Sequence, residues 1–290
     1  MTKPATPDPR PPLAAAAGDA ALVEHRESGE QVYRGALLDV RRDRARMPDG
    51  SSAVREYIVH PGAVLVVPVA DDGRLVVERQ FRYPPNRTFL EFPAGKLDPG
   101  ESALETGARE LVEEAGYRAM HWTRLGVVHP VISYSTETIA IYAARRLSHV
   151  GARLDAGEFL EVGLLGVDAL YAALDEGRLT DAKTVAALAM HTRWTAAANR
   201  SVRVRVTGRV QGVGYRDWTL RRARAAGVAG WVRNLRDGSV DAVFQGSRDA
   251  CDRLSDACAE GPSAAEVTLV EVERVPPDNA LRTFEFRASV

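Results

Sequence analysis

The sequence predicts an α/β domain followed by an α+β domain. Its 290 residues suit two domains of roughly 150 residues each. Short strands and helices alternate from residue 31 onward. An Ala-rich, unpatterned stretch at residues 195–199 interrupts them, and the pattern then restarts in the order β-α-β-β-α-β.

Composition narrows the class. Apolar residues make up 45% and charged residues 27%, the balance of a soluble globular chain. The net charge of −1 supplies no whole-chain field toward nucleic acid or an anionic membrane. The longest apolar run, residues 63–70, is interrupted by Pro68, whereas a bilayer span needs about 20 residues. Apart from Lys3, Lys96 and Lys183, every basic residue is Arg, which grips phosphate with a planar fork. Cys251 and Cys258 are seven apart in a helical stretch, roughly 10 Å along a helix axis and too far for a disulfide. Reduced cysteines predict a cytoplasmic protein.

The elements follow in order. Residues 1–28 are rich in Pro and Ala and read as a disordered leader. Residues 31–92 read as short strands and turns. Within them, 63–70 forms a buried strand, Asp71-Asp72-Gly73 a turn, and 74–80 the returning strand. Residues 102–115 have helical periodicity between Pro99-Gly100 and Gly116. Strands follow at 125–131 and 138–144, and helices at 164–177 and 181–192. The first domain is thereby set at residues 29–194. In the second, at 199–290, strands are predicted at 202–207, 230–234, 239–245, 267–275 and 282–287, with helices at 217–226 and 250–259.

The first chemical signal is on the helix at 102–115. Glu110, Glu113 and Glu114 stand at i, i+3 and i+4 and share one face. Three carboxylates there repel one another unless a cation lies among them, and Mg²⁺ prefers such oxygen ligands. Glu101 precedes the helix and can fold back to the same place. Arg109 can pair with one carboxylate and orient it, and Gly95 and Gly100 permit a tight loop. An isolated E-x-x-E-E would be a solvated acidic face. Here it continues as Gly95, Glu101, Arg109-Glu110-Leu111, Glu113-Glu114 and Gly116-Tyr117, the fixed positions of the Nudix box.

The resemblance extends over residues 32–192. Met47-Pro48-Asp49-Gly50, Arg55-Glu56-Tyr57, Glu78-Arg79-Gln80-Phe81-Arg82 and Leu90-Glu91-Phe92-Pro93-Ala94-Gly95 are similar to the ADP-ribose pyrophosphatase branch of the Nudix hydrolases. The resemblance implies an α/β/α sandwich with a mixed sheet, and cleavage of ADP-ribose to AMP and ribose 5-phosphate with Mg²⁺ or Mn²⁺. It also implies a homodimer through the N-terminal β region. Carried over by motif, the metal ligands are Glu110, Glu113, Glu114 and the Ala94 carbonyl. Gly95, Glu101, Arg109 and Gly116 are architectural. Glu137, in a loop after the box, is implied as general base or further metal ligand, and Arg55 and Arg82 as substrate contacts.

The second signal is Gly208-Arg209-Val210-Gln211-Gly212-Val213-Gly214-Tyr215-Arg216, between a predicted strand and a predicted helix. Such a loop can turn its N–H groups toward an anion, and the helix N-terminus adds partial positive charge. No Gly-Lys-Ser/Thr ending is present, so this is not an ATP loop of the Walker kind. With Gly230-Trp231-Val232-Arg233-Asn234 and Asp237-Gly238-Ser239, residues 201–290 resemble acylphosphatase, a ferredoxin-like α/β sandwich. The resemblance implies that Arg216 and the cradle Gln211, Gly212, Val213, Gly214 and Tyr215 bind phosphate. Asn234 then orients the attacking water, and no metal is needed. Both activities imply small-molecule substrates, with no nucleic acid and no membrane partner. The alternative is a Nudix hydrolase of another nucleotide sugar or dinucleotide, with a C-terminal module that binds anions without chemistry.

Overall fold

The computed structural model describes residues 21–154 and 157–290. Most of the expected leader, residues 1–20, lies outside the described residues. The described residues divide into two compact units, one formed by residues 21–60 together with 131–136, the other by residues 61–130, 137–154 and 157–290.

The first unit is an antiparallel sheet of β1 (His25–Arg34), β2 (Asp39–Arg46) and β3 (Ser52–Val59) in the order β1-β2-β3. Residues 25–28, expected to belong to the leader, are strand. Their polar sequence has no strand periodicity, and the ladder to β2 and the 2.8 Å ion pair of Arg26 with Asp43 hold them instead. Met47-Pro48-Asp49-Gly50 makes the β2–β3 turn, closed by the Gly50 N–H on the Met47 carbonyl at 2.9 Å. Residues 131–136 return to β3, with Ile58 N–H donating to the Tyr134 carbonyl at 2.9 Å.

The second unit begins with β4 (Ala63–Pro68), β5 (Leu75–Arg82), β6 (Arg87–Glu91) and β7 (Ala94–Lys96). Then come α1 (Ala103–Glu113), β8 (Tyr117–Val128), β9 (Ile139–His149), β10 (Leu160–Leu165), α2 (Val167–Asp175) and α3 (Ala182–Ala196). Successive residues of β4 face opposite ways. Ala63, Leu65 and Val67 pack with Leu170 of α2 and Ala187 and Leu188 of α3, whereas Val66 packs with Leu111 of α1 and with Ala115 just beyond its end. A sheet covered on both faces in this way reads as a continuous apolar run. Residues 160–165 are strand rather than the start of the expected helix at 164–177, because Leu164 and Leu165 pair with Val76 and Leu75 of β5.

The chain continues as β11 (Asn199–Arg209), α4 (Tyr215–Ala225), β12 (Ala229–Asn234), β13 (Val240–Ser247), α5 (Arg248–Cys258), β14 (Glu266–Arg274) and β15 (Phe284–Phe286). The spatial order β12-β13-β11-β14 is that of a ferredoxin-like sheet. Its core gathers Val202, Val204 and Val206 of β11 with Phe244, Cys251 and Leu254.

The expected gap between the domains is short. α3 ends at Ala196 and β11 begins at Asn199. Their sheets are also continuous, since β14 pairs in parallel with β8, Val270 lying opposite His121 and Glu273 opposite Arg124. Each strand thereby loses a free edge. Arg145 bonds Asp256 and Arg146 bonds Glu260, both at 3.0 Å. His121 is fully buried here, and burial, with Arg145 and Arg146 adding, holds its pKa well below the ordinary histidine value.

Candidate functional site

α1 is positioned from its first residue. The Ser102 hydroxyl accepts from the Glu105 N–H, and Glu105 accepts in return from the Ser102 N–H at 2.8 Å, a reciprocal cap. Leu111 turns inward, which leaves Glu110, Glu113 and Glu114 on the remaining face. The guanidinium of Arg109 lies among the acids. It bonds Glu101 at 3.2 Å, Glu110 at 3.0 Å and Glu113 at 2.8 Å. Glu101 also accepts from the Thr106 hydroxyl at 2.9 Å and so braces the helix entry.

Glycine at position 95 has a steric reason. A Cβ there would stand 1.7 Å from Oε1 of Glu110, so only glycine lets that carboxylate lie over β7. Oε2 of Glu114 accepts the Ala94 N–H at 2.9 Å. Ala94, Gly95, Glu110 and Glu114 line a cavity of about 550 Å³; Glu113 is not among its lining residues. Burial, with the charges of Glu78 and Glu110 adding, pushes the Glu114 carboxyl up to about 9. Burial raises Glu110 as well, against the pull of Arg109. Crowded carboxylates of this kind gain from a nearby cation. The set is all oxygen, the chemistry of Mg²⁺ or Mn²⁺, and the cavity that Ala94, Gly95, Glu110 and Glu114 line has room for such an ion. Among the described residues, no three acidic, imidazole or thiol groups already converge on one point.

Positive charge lines the same cavity, from Arg82 and Lys183. Arg82 of β5 forms a fork with Glu91, at 2.8 and 2.9 Å, and Lys183 bonds both Glu91 and Asp181. Burial alone would raise Glu91, but these two cations hold it below the ordinary carboxylate value. Asp181 also caps α3, and Thr184 accepts the Phe92 N–H at 3.2 Å, so the start of α3 is tied to the end of β6.

Glu137 lines the cavity. So does Glu158, to which the sequence assigned no role. It lies ahead of β10 outside any sequence motif, and the pairing of β10 with β5 carries its loop to the site. Lys183 was likewise legible only as one of three lysines. Arg55 belongs to the first unit, where it forms a fork with Glu24, both contacts at 2.8 Å.

The second constellation lies at the start of α4. Gly212 and Gly214 have φ of 74° and 76°, left-handed values that glycine adopts without strain. Among the described residues, none of the main-chain N–H groups of residues 211–214 donates to a main-chain carbonyl. Those of Tyr215, Arg216 and Asp217 open the helix and have no acceptor within it. The row of donors is that of an anion cradle. The side chains of Gln211 and Tyr215 serve the fold instead. Gln211 donates to the carbonyls of Leu235 and Ser239, at 2.8 and 2.9 Å, and the buried Tyr215 hydroxyl donates to the Cys258 carbonyl at 2.5 Å. The last two residues reach both Arg216 and Asn234: the Arg216 guanidinium donates to the Ser289 hydroxyl at 3.4 Å, and the Val290 N–H donates to the Asn234 carbonyl at 3.2 Å.

Comparison with known proteins divides the chain the same way. The NUDIX domain family matches residues 59–188, and the nucleoside diphosphate sugar hydrolase N-terminal domain family matches residues 24–58. The acylphosphatase family matches residues 202–286. An ADP-ribose pyrophosphatase of Bacillus subtilis (strain 168) is 34% identical over 169 residues, covering 58% of this chain and 91% of the relative. An acylphosphatase of Rubrobacter xylanophilus is 53% identical over 93 residues, covering 32% of this chain and 84% of the relative. A crystal structure of an ADP compounds hydrolase superposes with a TM-score of 0.54 at 28% identity, covering 59% of this chain and 93% of the other.

Proposed function

Because this chain belongs to the Nudix hydrolases in its N-terminal part and to the acylphosphatases in its C-terminal part, we propose that it is a bifunctional anhydride hydrolase. The first site cleaves the pyrophosphate of ADP-ribose to AMP and ribose 5-phosphate with Mg²⁺ or Mn²⁺. The second hydrolyses acyl phosphates to carboxylate and phosphate without metal. The observation that carries the first assignment is one cavity with two chemistries in its wall, the carboxylates Glu110 and Glu114 together with the cations Arg82 and Lys183.

In the first site Glu110 and Glu114 hold the cation, with Glu113 and the Ala94 carbonyl completing the set. Bound there, a divalent cation neutralises the pyrophosphate oxygens and lowers the pKa of water. Arg82 and Lys183 orient the second phosphate, and Glu91 fixes both cations in place. A carboxylate from outside α1, Glu137 or Glu158, takes the proton of the attacking water. In the second site the amides of residues 211–215 and the Arg216 fork hold the phosphate, and Asn234 aligns the water. Buried, free Cys251 and Cys258 suit a reducing compartment such as the cytoplasm. Among the described residues, no helix is long and apolar enough to cross a membrane.

Chromatography of Mg²⁺ reactions of the full chain with ADP-ribose, nucleotide sugars and dinucleotides tests the substrate. ADP-ribose is expected to show the highest kcat/KM and to release AMP. A preference for another member of the panel reassigns the site to that nucleotide.

We also propose a homodimer formed through the first unit. All ten residues of β1, the edge strand of its sheet, are exposed, among them Val32 at 46% and Tyr33 at 57%, and an uncovered edge of this sort is open to pairing with another chain. Light scattering at micromolar concentration is expected to give twice the chain mass of 31.5 kDa; a monomer overturns this.

A further inference from the structure

Glu78 is a buried carboxylate without a visible counterpart. It is 1% exposed, and neither of its oxygens has a hydrogen-bond partner among the described residues. Two residues along β5, Oε1 of Gln80 is buried and unpartnered as well. Residues 76, 78 and 80 share one face of the strand, and Val76 packs against Leu111 and Ala115. That face therefore shares a buried cluster with α1, the helix that bears Glu110 and is capped by Glu114, although Glu78 itself is not among the residues lining the cavity. Glu91 is the residue directly across the ladder from Glu78. The cations nearby, Arg82 and Lys183, bond to Glu91 and reach Glu78 only through their charge, which leaves its buried oxygens without a hydrogen bond.

An orphaned buried acceptor calls for a missing donor or ion, and an uncompensated buried charge weakens a fold. The neighbouring valines, Val76 and Val77, show that an apolar side chain is what this strand otherwise buries here. We propose that Glu78 is a further carboxylate of the cation site, extending the set on α1 inward along β5 so that its charge adds to the hold on a divalent ion beside Glu114. The inference rests on the metal-dependent reading of the first site. It makes Glu78 costly to the metal-free protein and useful to the metal-bound one, so one substitution acts in opposite directions on the two states.

The test uses the full chain freed of metal by EDTA, with Mn²⁺ as the probe. Mn²⁺ affinity is read from the electron paramagnetic resonance of the free ion, and melting temperature is measured with and without Mn²⁺. Glu78→Gln and Glu78→Val are each expected to weaken Mn²⁺ binding about 10-fold or more and to reduce the rise in melting temperature that Mn²⁺ produces. Metal-free, both variants melt above the metal-free wild type. Unchanged Mn²⁺ affinity in both variants, or a lower metal-free melting temperature in both, overturns the proposal. Glu114→Gln separates the two levels of inference. If it loses Mn²⁺ while the Glu78 variants keep it, the role of Glu78 alone is wrong. If all three bind Mn²⁺ as the wild type does, the metal reading falls with it.

Discussion

Glu114→Gln lowers the kcat for ADP-ribose by about 10²-fold or more, and Glu110→Gln does the same. A cation in such a site supplies several kcal/mol of transition-state stabilisation, and each factor of ten in rate is about 1.4 kcal/mol. Gln keeps the shape of Glu114, and its carbonyl can still accept the Ala94 N–H that Oε2 accepts at 2.9 Å. What is lost is the charge that holds the ion. The loss falls on kcat and kcat/KM together, because the interaction is made most strongly in the transition state. The fold does not suffer, since burial and the charges of Glu78 and Glu110 already disfavour the ionised form of Glu114. A melting curve of the metal-free variant at or above that of the wild type therefore accompanies the lost activity. Near-normal Mg²⁺-dependent release of AMP by Glu114→Gln would show that the helix-face site is wrong.

EDTA abolishes ADP-ribose hydrolysis and leaves acyl phosphate hydrolysis nearly intact. The first site is walled by carboxylates on one side, whereas the second draws its positive charge from Arg216 and from N–H groups that a chelator cannot remove. Asn234→Ala has the reverse effect. Phosphate still binds, but the water loses its orienting amide, so kcat falls more than KM rises. Removing one such polar group from an active site typically costs about 10²–10³ in kcat. Arg216→Ala also raises KM, because a charge-assisted fork is gone. The measurement is phosphate release from benzoyl phosphate or acetyl phosphate by the full chain, with and without EDTA. Wild-type turnover that is absent, or that stops with EDTA, leaves the C-terminal part as an anion-binding module without chemistry.

Much of both sites was legible because it is local in the chain. The i, i+3, i+4 spacing of Glu110, Glu113 and Glu114 needs only a helix to bring them together, and Ser102 and Glu105 start that helix. The loop at 211–216 needs only its glycines and a following helix to line up its N–H groups. What the sequence left out is non-local. Glu158, Glu91 and Lys183 come from a loop, a strand and a helix and meet through pairing and packing, with no periodicity to announce them. Roles within the motifs also shifted. The side chains of Gln211 and Tyr215 are spent on Leu235, Ser239 and Cys258, so only their main chain is left for a phosphate. Arg55 is engaged by Glu24.

By itself, then, the sequence determined the two helix starts, the carboxylate face, the glycine loop and the β-α-β-β-α-β order, all set by spacing within one or two elements. Only the tertiary structure decided that β14 would join β8 and make one sheet of the two halves. A strand edge is recognised through main-chain N–H and C=O groups that every residue carries, so no side-chain pattern encodes which edge it meets. The same is true of Glu78. As a letter it is one charge in an alternating strand, and it becomes a buried carboxylate without a hydrogen-bond partner only when the fold closes around β5 and excludes water from it.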